Sequence, residues 1–192
     1  AEMPDGRQIL FVIATNAPGI TVPHGLDLVA LTASQTGPVK FENVFVDPSW
    51  LLTDPTEQVL AASGLTSTGS TQTSALALGL ATSAVNFIEQ ESLQRPDLFE
   101  TAEALKKQQS ELEDRLLKLS SGIAICTNEE LRTEMNSFVL RTTQASMAAA
   151  KGAGFVQGHP AGRWCREALF FLVWSCPQSV IHANLCELVG IE

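Results

Sequence analysis

The sequence lacks close cysteine pairs. Cys126, Cys165, Cys176 and Cys186 have no C-x-x-C spacing among them and each sits among apolar neighbours. They read as buried free thiols rather than a zinc site or disulfides. Basic residues are scarce, 12 Lys and Arg against 21 Asp and Glu for a net charge of −9. That balance excludes a general nucleic-acid surface, which needs excess cation to displace counterions. No apolar run reaches the roughly 18–20 residues of a spanning helix, and Ala168 to Trp174 falls well short, so no membrane partner is expected. The N-terminus has no charged-then-apolar leader and no initiator Met, and a strand pattern starts almost at once. The expectation is a truncated or processed chain. Neither an internal repeat nor a low-complexity tail is present. The composition fits a soluble, cytoplasmic protein.

With 45% apolar residues among 192, the chain can bury a sizeable core. Residues 8–46 read as β, with strand candidates at 8–14, 20–22 and 27–31 and a turn at Asn16-Ala-Pro-Gly19. The run from Val39 to Val46 alternates and then slips by one residue at Glu42-Asn43, as a bulge causes. So few strands do not make a stable sandwich unaided. The missing strand partners are expected before residue 1 or on another chain. Asp54-Pro-Thr-Glu57 reads as the cap of a short helix through Ala62.

From residue 70 the pattern turns helical. A helix rich in Ala, Leu and Ser runs to about Gln94 and is stopped by Pro96. A second spans about Asp97 to Leu119, with Leu105, Leu112, Leu116 and Leu119 at core spacing. A third, capped by Asn128, carries Leu131, Met135, Phe138 and Val139 to about Lys151. A fourth runs to about Trp174, and a last from Pro177 to about Val189. The fold class expected is mainly α with a small β portion. The domains are part of a β-domain at 1–52 and an antiparallel four-helix bundle at 53–192.

The stretch from Lys151 to Pro177 is the most informative. Gly152, Gly154 and Gly158 follow a helix, Pro160 opens another, and Arg163 and Arg166 share one face beyond it. Such a corner lets main-chain N–H groups approach a ligand closely. By itself it is also an ordinary helix–loop–helix corner.

The order Gly-x-Gly-Phe155, Pro160, then Arg163-x-x-Arg166-Glu167-Ala168 resembles the C-terminal bundle of the acyl-CoA dehydrogenase superfamily. Upstream, Ser34-Gln-Thr36-Gly-Pro-Val-Lys-Phe41-Glu-Asn-Val44-Phe-Val46 is similar to the end of that family's middle β-domain. The likeness extends from about Leu10 to Leu188.

The resemblance implies FAD as cofactor, an acyl-CoA-like substrate, and assembly into a homodimer or homotetramer. In the family a glutamate takes the α-proton while hydride passes to the flavin. Its two known places fall on Ser175 and Gly69 here, neither of which can act as a base, so no catalytic residue is assigned. His159 and His182 are candidates by chemistry, as titrating imidazoles, or are plain structural histidines. For the cofactor, the family's pyrophosphate arginine aligns with Arg95. Its Gly-Gly aligns with Lys151-Gly152, and a polar residue near the flavin aligns with Ser179. Ser34 and Thr36 align with small polar residues near the substrate cleft. Arg163, Arg166 and Glu167 read as an ion-pair cluster fixing the corner.

The leading expectation is thus the C-terminal portion of an FAD-dependent acyl-CoA dehydrogenase-like oxidoreductase, inactive as an isolated chain. A flavin-dependent monooxygenase on the same scaffold needs no glutamate and is the second expectation. A catalytically silent assembly bundle is the third.

Overall fold

The structure, a computed structural model, describes residues 1–59 and 71–191. Two compact units divide the chain, Ala1–Ser67 and Thr68–Glu192.

In the first unit, β1 (Ile20–Thr21) pairs antiparallel with β2 (Lys40–Phe41), with Ile20 opposite Phe41 and Thr21 opposite Lys40. The Glu42 N–H extends the pairing onto the Gly19 carbonyl at 2.9 Å. Gly19 has φ +86°, and a Cβ there would stand 2.2 Å from the Glu42 carbonyl oxygen, so this approach requires glycine. Pairing then stops, and Asn43 adopts a left-handed φ of 50° at the place where the alternation slips.

The strand expected over 8–14 is not a continuous ladder. Gln8 exchanges both backbone hydrogen bonds with Thr56 (2.7 and 3.0 Å), whereas Leu10 and Val12 pair with Leu52 and Trp50. The register slips between these points because the Leu10 N–H donates to the Thr53 hydroxyl (3.0 Å) instead of to a carbonyl. Thr56 therefore lies in a bridge to Gln8, not in the helix expected from Asp54, and residues 60–70 fall outside the described residues. Residues 27–31 form no strand either. Leu31 and Gln35 take left-handed φ values of 58° and 50° around a 3-10 turn at Thr32–Ser34. The Leu26 N–H reaches the Thr36 carbonyl at 2.8 Å, which closes a loop. Among the described residues of this unit only Val59 is buried, and Val29 and Phe45 are 81% and 78% exposed.

The second unit is a helical bundle. Its helices are α1 (Thr71–Ser92), α2 (Phe99–Ser120), α3 (Asn128–Ala150), α4 (Pro160–Ala168) and α5 (Gln178–Val189). Alanines 77, 81 and 84 on α1 are fully buried, which lets its backbone lie close to its neighbours. Gly122, with φ +82°, turns the chain after α2.

Helix α3 packs against each of the other four helices. Leu131, Met135, Phe138 and Val139 on it are fully buried and join Val85, Leu112, Leu116 and Phe171 in one core. Burial of such a side chain stabilises by about 1.5–3 kcal/mol. The N-cap of α3 is Thr127, not Asn128. Thr127 and Glu130 form a reciprocal capping box, and the Thr-x-x-Glu spacing places a hydroxyl and a carboxylate on two otherwise unpaired N–H groups.

The fourth helix stops at Ala168, short of Trp174. Residues Leu169–Leu172 tighten into a 3-10 turn, and the Phe171 and Trp174 carbonyls accept from a side chain of α3 instead of from the helix.

Candidate functional site

Three of the four residues aligned with cofactor contacts meet at the C-terminal end of α3. Arg95, just beyond α1, donates from Nη1 to the Ala149 carbonyl at 2.6 Å, and its Nη2 lies 3.3 Å from Asp97 and its Nη1 3.9 Å from Glu91. It satisfies a carbonyl that a helix end leaves without an intrahelical partner. Two residues on, Lys151 is exposed and holds φ 52°, ψ −145°, a backbone region that glycine enters freely and lysine does not. Gly152 is exposed as well, and a Cβ added there would meet nothing within 4 Å.

Gly154 and Gly162 clamp α4 onto this corner. A Cβ on Gly162 would fall 2.8 Å from the Gly154 carbonyl oxygen. Beside them runs a cleft of about 430 Å³ whose lining includes Met147, Phe155, His159, Cys165 and Arg166. His159 is the N-cap of α4, its Nδ1 accepting the Ala161 N–H at 3.2 Å, and its ring meets Phe87 edge-on at 5.7 Å. It is placed as a structural histidine. Arg163 lies 3.9 Å from Glu167, and Arg166 donates to the Gly162 carbonyl at 2.9 Å.

Ser179 is at the other end of α3. Its hydroxyl donates to Glu129 at 2.5 Å. This second cleft, about 390 Å³, is lined by Glu129, Glu130, Glu134, Thr127 and Thr133. Each carboxylate has a donor: Glu130 caps α3 and Glu134 takes a bidentate grip from Arg115. The helix rise between residues 129 and 151 is about 33 Å. Ser179 and Lys151 of one chain therefore lie at opposite ends of α3.

Between α4 and α5 lies a tip turn. Ser175, exposed with a left-handed φ of 46°, stands there with no carboxylate in its place. Phe170 stacks on Trp174 at 4.7 Å. Beneath the turn is a buried polar network that the sequence pattern did not reveal. Arg132 of α3, 0% exposed, donates from Nε to Asn136 Oδ1 (2.9 Å) and from Nη2 to the carbonyls of Phe171 (3.4 Å) and Trp174 (3.2 Å).

Asn136 in turn donates to the Phe171 carbonyl (3.0 Å) and to Asn184 Oδ1 (3.0 Å), and Asn184 donates to the Thr133 carbonyl (3.1 Å). The network thus ties α3, the tip and α5 together. Burial pulls the Arg132 guanidinium pKa down, and pushes the thiols of Cys176 and Cys165 up, so both thiols stay neutral at neutral pH. The one available signal was an Arg and an Asn four apart, one step from each of the core positions 131 and 135.

In the first unit, Ser34 and Thr36 share a hydrogen bond of 2.7 Å between their hydroxyls, on the exposed loop that the Leu26–Thr36 contact closes. Gly69 lies outside the described residues. All four cysteines are free and half-buried. Among the described residues no helix is long and apolar enough to cross a membrane, and no three His, Cys, Asp or Glu side chains are grouped to hold a metal ion.

No family model and no curated protein matches this sequence. Solved structures do. An acyl-CoA dehydrogenase from Geobacillus kaustophilus superposes with TM-score 0.77 at 14% identity, covering 94% of this chain and 52% of its own. Butyryl-CoA dehydrogenase from Megasphaera elsdenii gives 0.69 at 18% identity, over 96% and 52%. A glutaryl-CoA dehydrogenase from Mycobacterium smegmatis in complex with FADH2 gives 0.73 at 17% identity, over 99% and 53%. The chain has the C-terminal part of the acyl-CoA dehydrogenase fold. It spans about half the length of these proteins.

Proposed function

We propose that this chain is the C-terminal portion of an acyl-CoA dehydrogenase-like flavoprotein that binds FAD at the α3 corner and works as an oligomer. The observation that carries the reading is the fold match across at least 94% of the chain to acyl-CoA dehydrogenases, one of them holding FADH2. The corner suits the anionic half of a dinucleotide: an exposed lysine, the uncovered backbone of Gly152 and a cleft bearing Arg166. Arg95 supports the corner by holding the Ala149 carbonyl, and its contact with Asp97 is on the exposed side, where a pyrophosphate can compete for it.

Ser179, surrounded by glutamates, suits only an uncharged part of the cofactor. Because α3 separates it from Lys151, the cofactor that Ser179 meets belongs to a different corner from that of its own chain. A homodimer or homotetramer follows from this reading. The apolar surface left uncovered on the first unit supports a β-domain completed by further polypeptide. Ser34 and Thr36 then offer hydroxyl donors to an acyl-CoA-like substrate.

When bound, the flavin supplies a hydride acceptor. At the tip, Ser175 cannot remove a substrate proton, and the neutral thiol of Cys176 does not replace it. That single observation favours a second reading, a flavin-dependent monooxygenase, whose chemistry needs no carboxylate there. Mixing of the flavin-loaded, fully assembled protein with acyl-CoA thioesters, first without oxygen and then with reduced flavin and oxygen, decides between the two. Flavin bleaching without added reductant supports dehydrogenation. Product formed only with reduced flavin and oxygen supports the monooxygenase.

A further inference from the structure

We propose that Arg132 is a positioning residue: from inside the bundle it fixes the tip turn and sets which backbone groups are presented at Ser175. The peptide bond from Trp174 to Ser175 is trans, so its C=O and N–H point in opposite directions. Arg132 holds that C=O inward, which turns the Ser175 N–H outward. Among the described residues neither that N–H nor the Ser175 hydroxyl has a hydrogen-bond partner. The inner side of the turn is saturated by Arg132 and Asn136, while its outer side is free.

The arrangement is costly as packing. Among the described residues Arg132 has no carboxylate partner, and its Nη1 is buried without a hydrogen-bond partner. An apolar side chain of similar volume commonly serves stability as well as a buried ion does, and a buried network of this kind is justified by the one conformation it specifies. Apolar packing alone leaves the turn underdetermined. Val173 is 74% exposed and Trp174 44%, and the 3-10 turn before them supplies few bonds. The role of the tip as a ligand-facing surface rests on the proposed flavoprotein reading, but the positioning claim and its test do not.

The test is NMR on the full chain with Arg132→Met and Arg132→Lys. The reporters are the Ser175 amide shift and the exchange rate of the Trp174 N–H, which donates to the Phe170 carbonyl at 2.9 Å. The Gly152 and His159 amides at the far end of the bundle are controls. Arg132→Met is expected to displace the Ser175 signal and to speed Trp174 exchange about tenfold, with the controls unmoved. Arg132→Lys, which keeps the charge but cannot span two carbonyls and Asn136, is expected to recover part of that loss.

Unchanged tip signals in Arg132→Met overturn the proposal, because the Phe170–Trp174 stack would then suffice. If Arg132→Met fails to fold, Arg132→Lys decides: tip signals that move while the controls stay support positioning. Tip and controls moving together identify Arg132 as a general core residue and overturn it. Flavin binding enters none of these readouts, so a failure of the flavoprotein reading is seen separately.

Discussion

Lys151 shows how one residue can carry both strain and charge. Its φ of 52° with ψ −145° suits glycine, and a side chain there costs on the order of 1–3 kcal/mol. Glycine at this site relieves the strain but adds unfolded-state entropy worth about 0.5–1 kcal/mol. Lys151→Gly is therefore expected to stabilise the protein by about 1 kcal/mol, read as a higher urea midpoint with an unchanged slope. A lower midpoint would show that the lysine conformation is not strained.

The sequence brought this position forward, because Lys151-Gly152 stands where the resembled family has Gly-Gly. It did not make Arg132 visible. An arginine on an amphipathic helix is normally a solvated residue, and only the fold reveals that the tip turn covers this one. His159 and Arg95 also make contacts that spacing cannot supply: an N-cap on α4 and a carbonyl 54 positions away.

Among the elements, α3 organises the bundle, and its start is set by local chemistry. Thr127 donates its N–H to the Glu130 carboxylate at 2.8 Å and accepts the Glu130 N–H at 3.1 Å. Bonds from the Thr127 backbone N–H and then its hydroxyl hold the Glu130 carboxyl below the ordinary glutamate range. In the unfolded chain this carboxyl binds its proton at higher pH than in the folded one. The cap's stabilisation is thus complete above the unfolded pKa of about 4.3 and is lost as pH falls through the folded value. Glu130→Gln should flatten this part of the stability profile, measured by denaturation at a series of pH values between neutral and acid. A variant that loses stability on acidification just as the parent does would contradict the linkage.

The helices were legible because 3.6-residue periodicity and Pro or Gly stops act within the segment itself. Helix α4 ended early because carbonyls of its expected last turn go to Arg132, a partner about forty positions distant. The strands were less legible for the same reason. Residues 8–12 find their partners at 50–56, and the Thr53 hydroxyl breaks the register in a way that alternation does not encode.

For the whole molecule, two units with opposite characters are joined in one chain. The bundle buries a continuous core, while the β unit buries a single described residue and leaves Phe41, Phe45 and Val29 in solvent. Such a surface is what supports the proposal that further polypeptide completes this unit. The fold reading from sequence and the superpositions agree on which half of the acyl-CoA dehydrogenase fold this is, and on that fold we propose that FAD binds at the α3 corner. Titration of FAD into the purified protein and its Lys151→Glu variant, followed by flavin fluorescence with riboflavin as the control ligand, tests that claim most directly. The account predicts saturable quenching by FAD, weaker binding of riboflavin, and about tenfold weaker FAD binding in the variant. No saturable quenching, or equal affinity for FAD in both proteins, would contradict it.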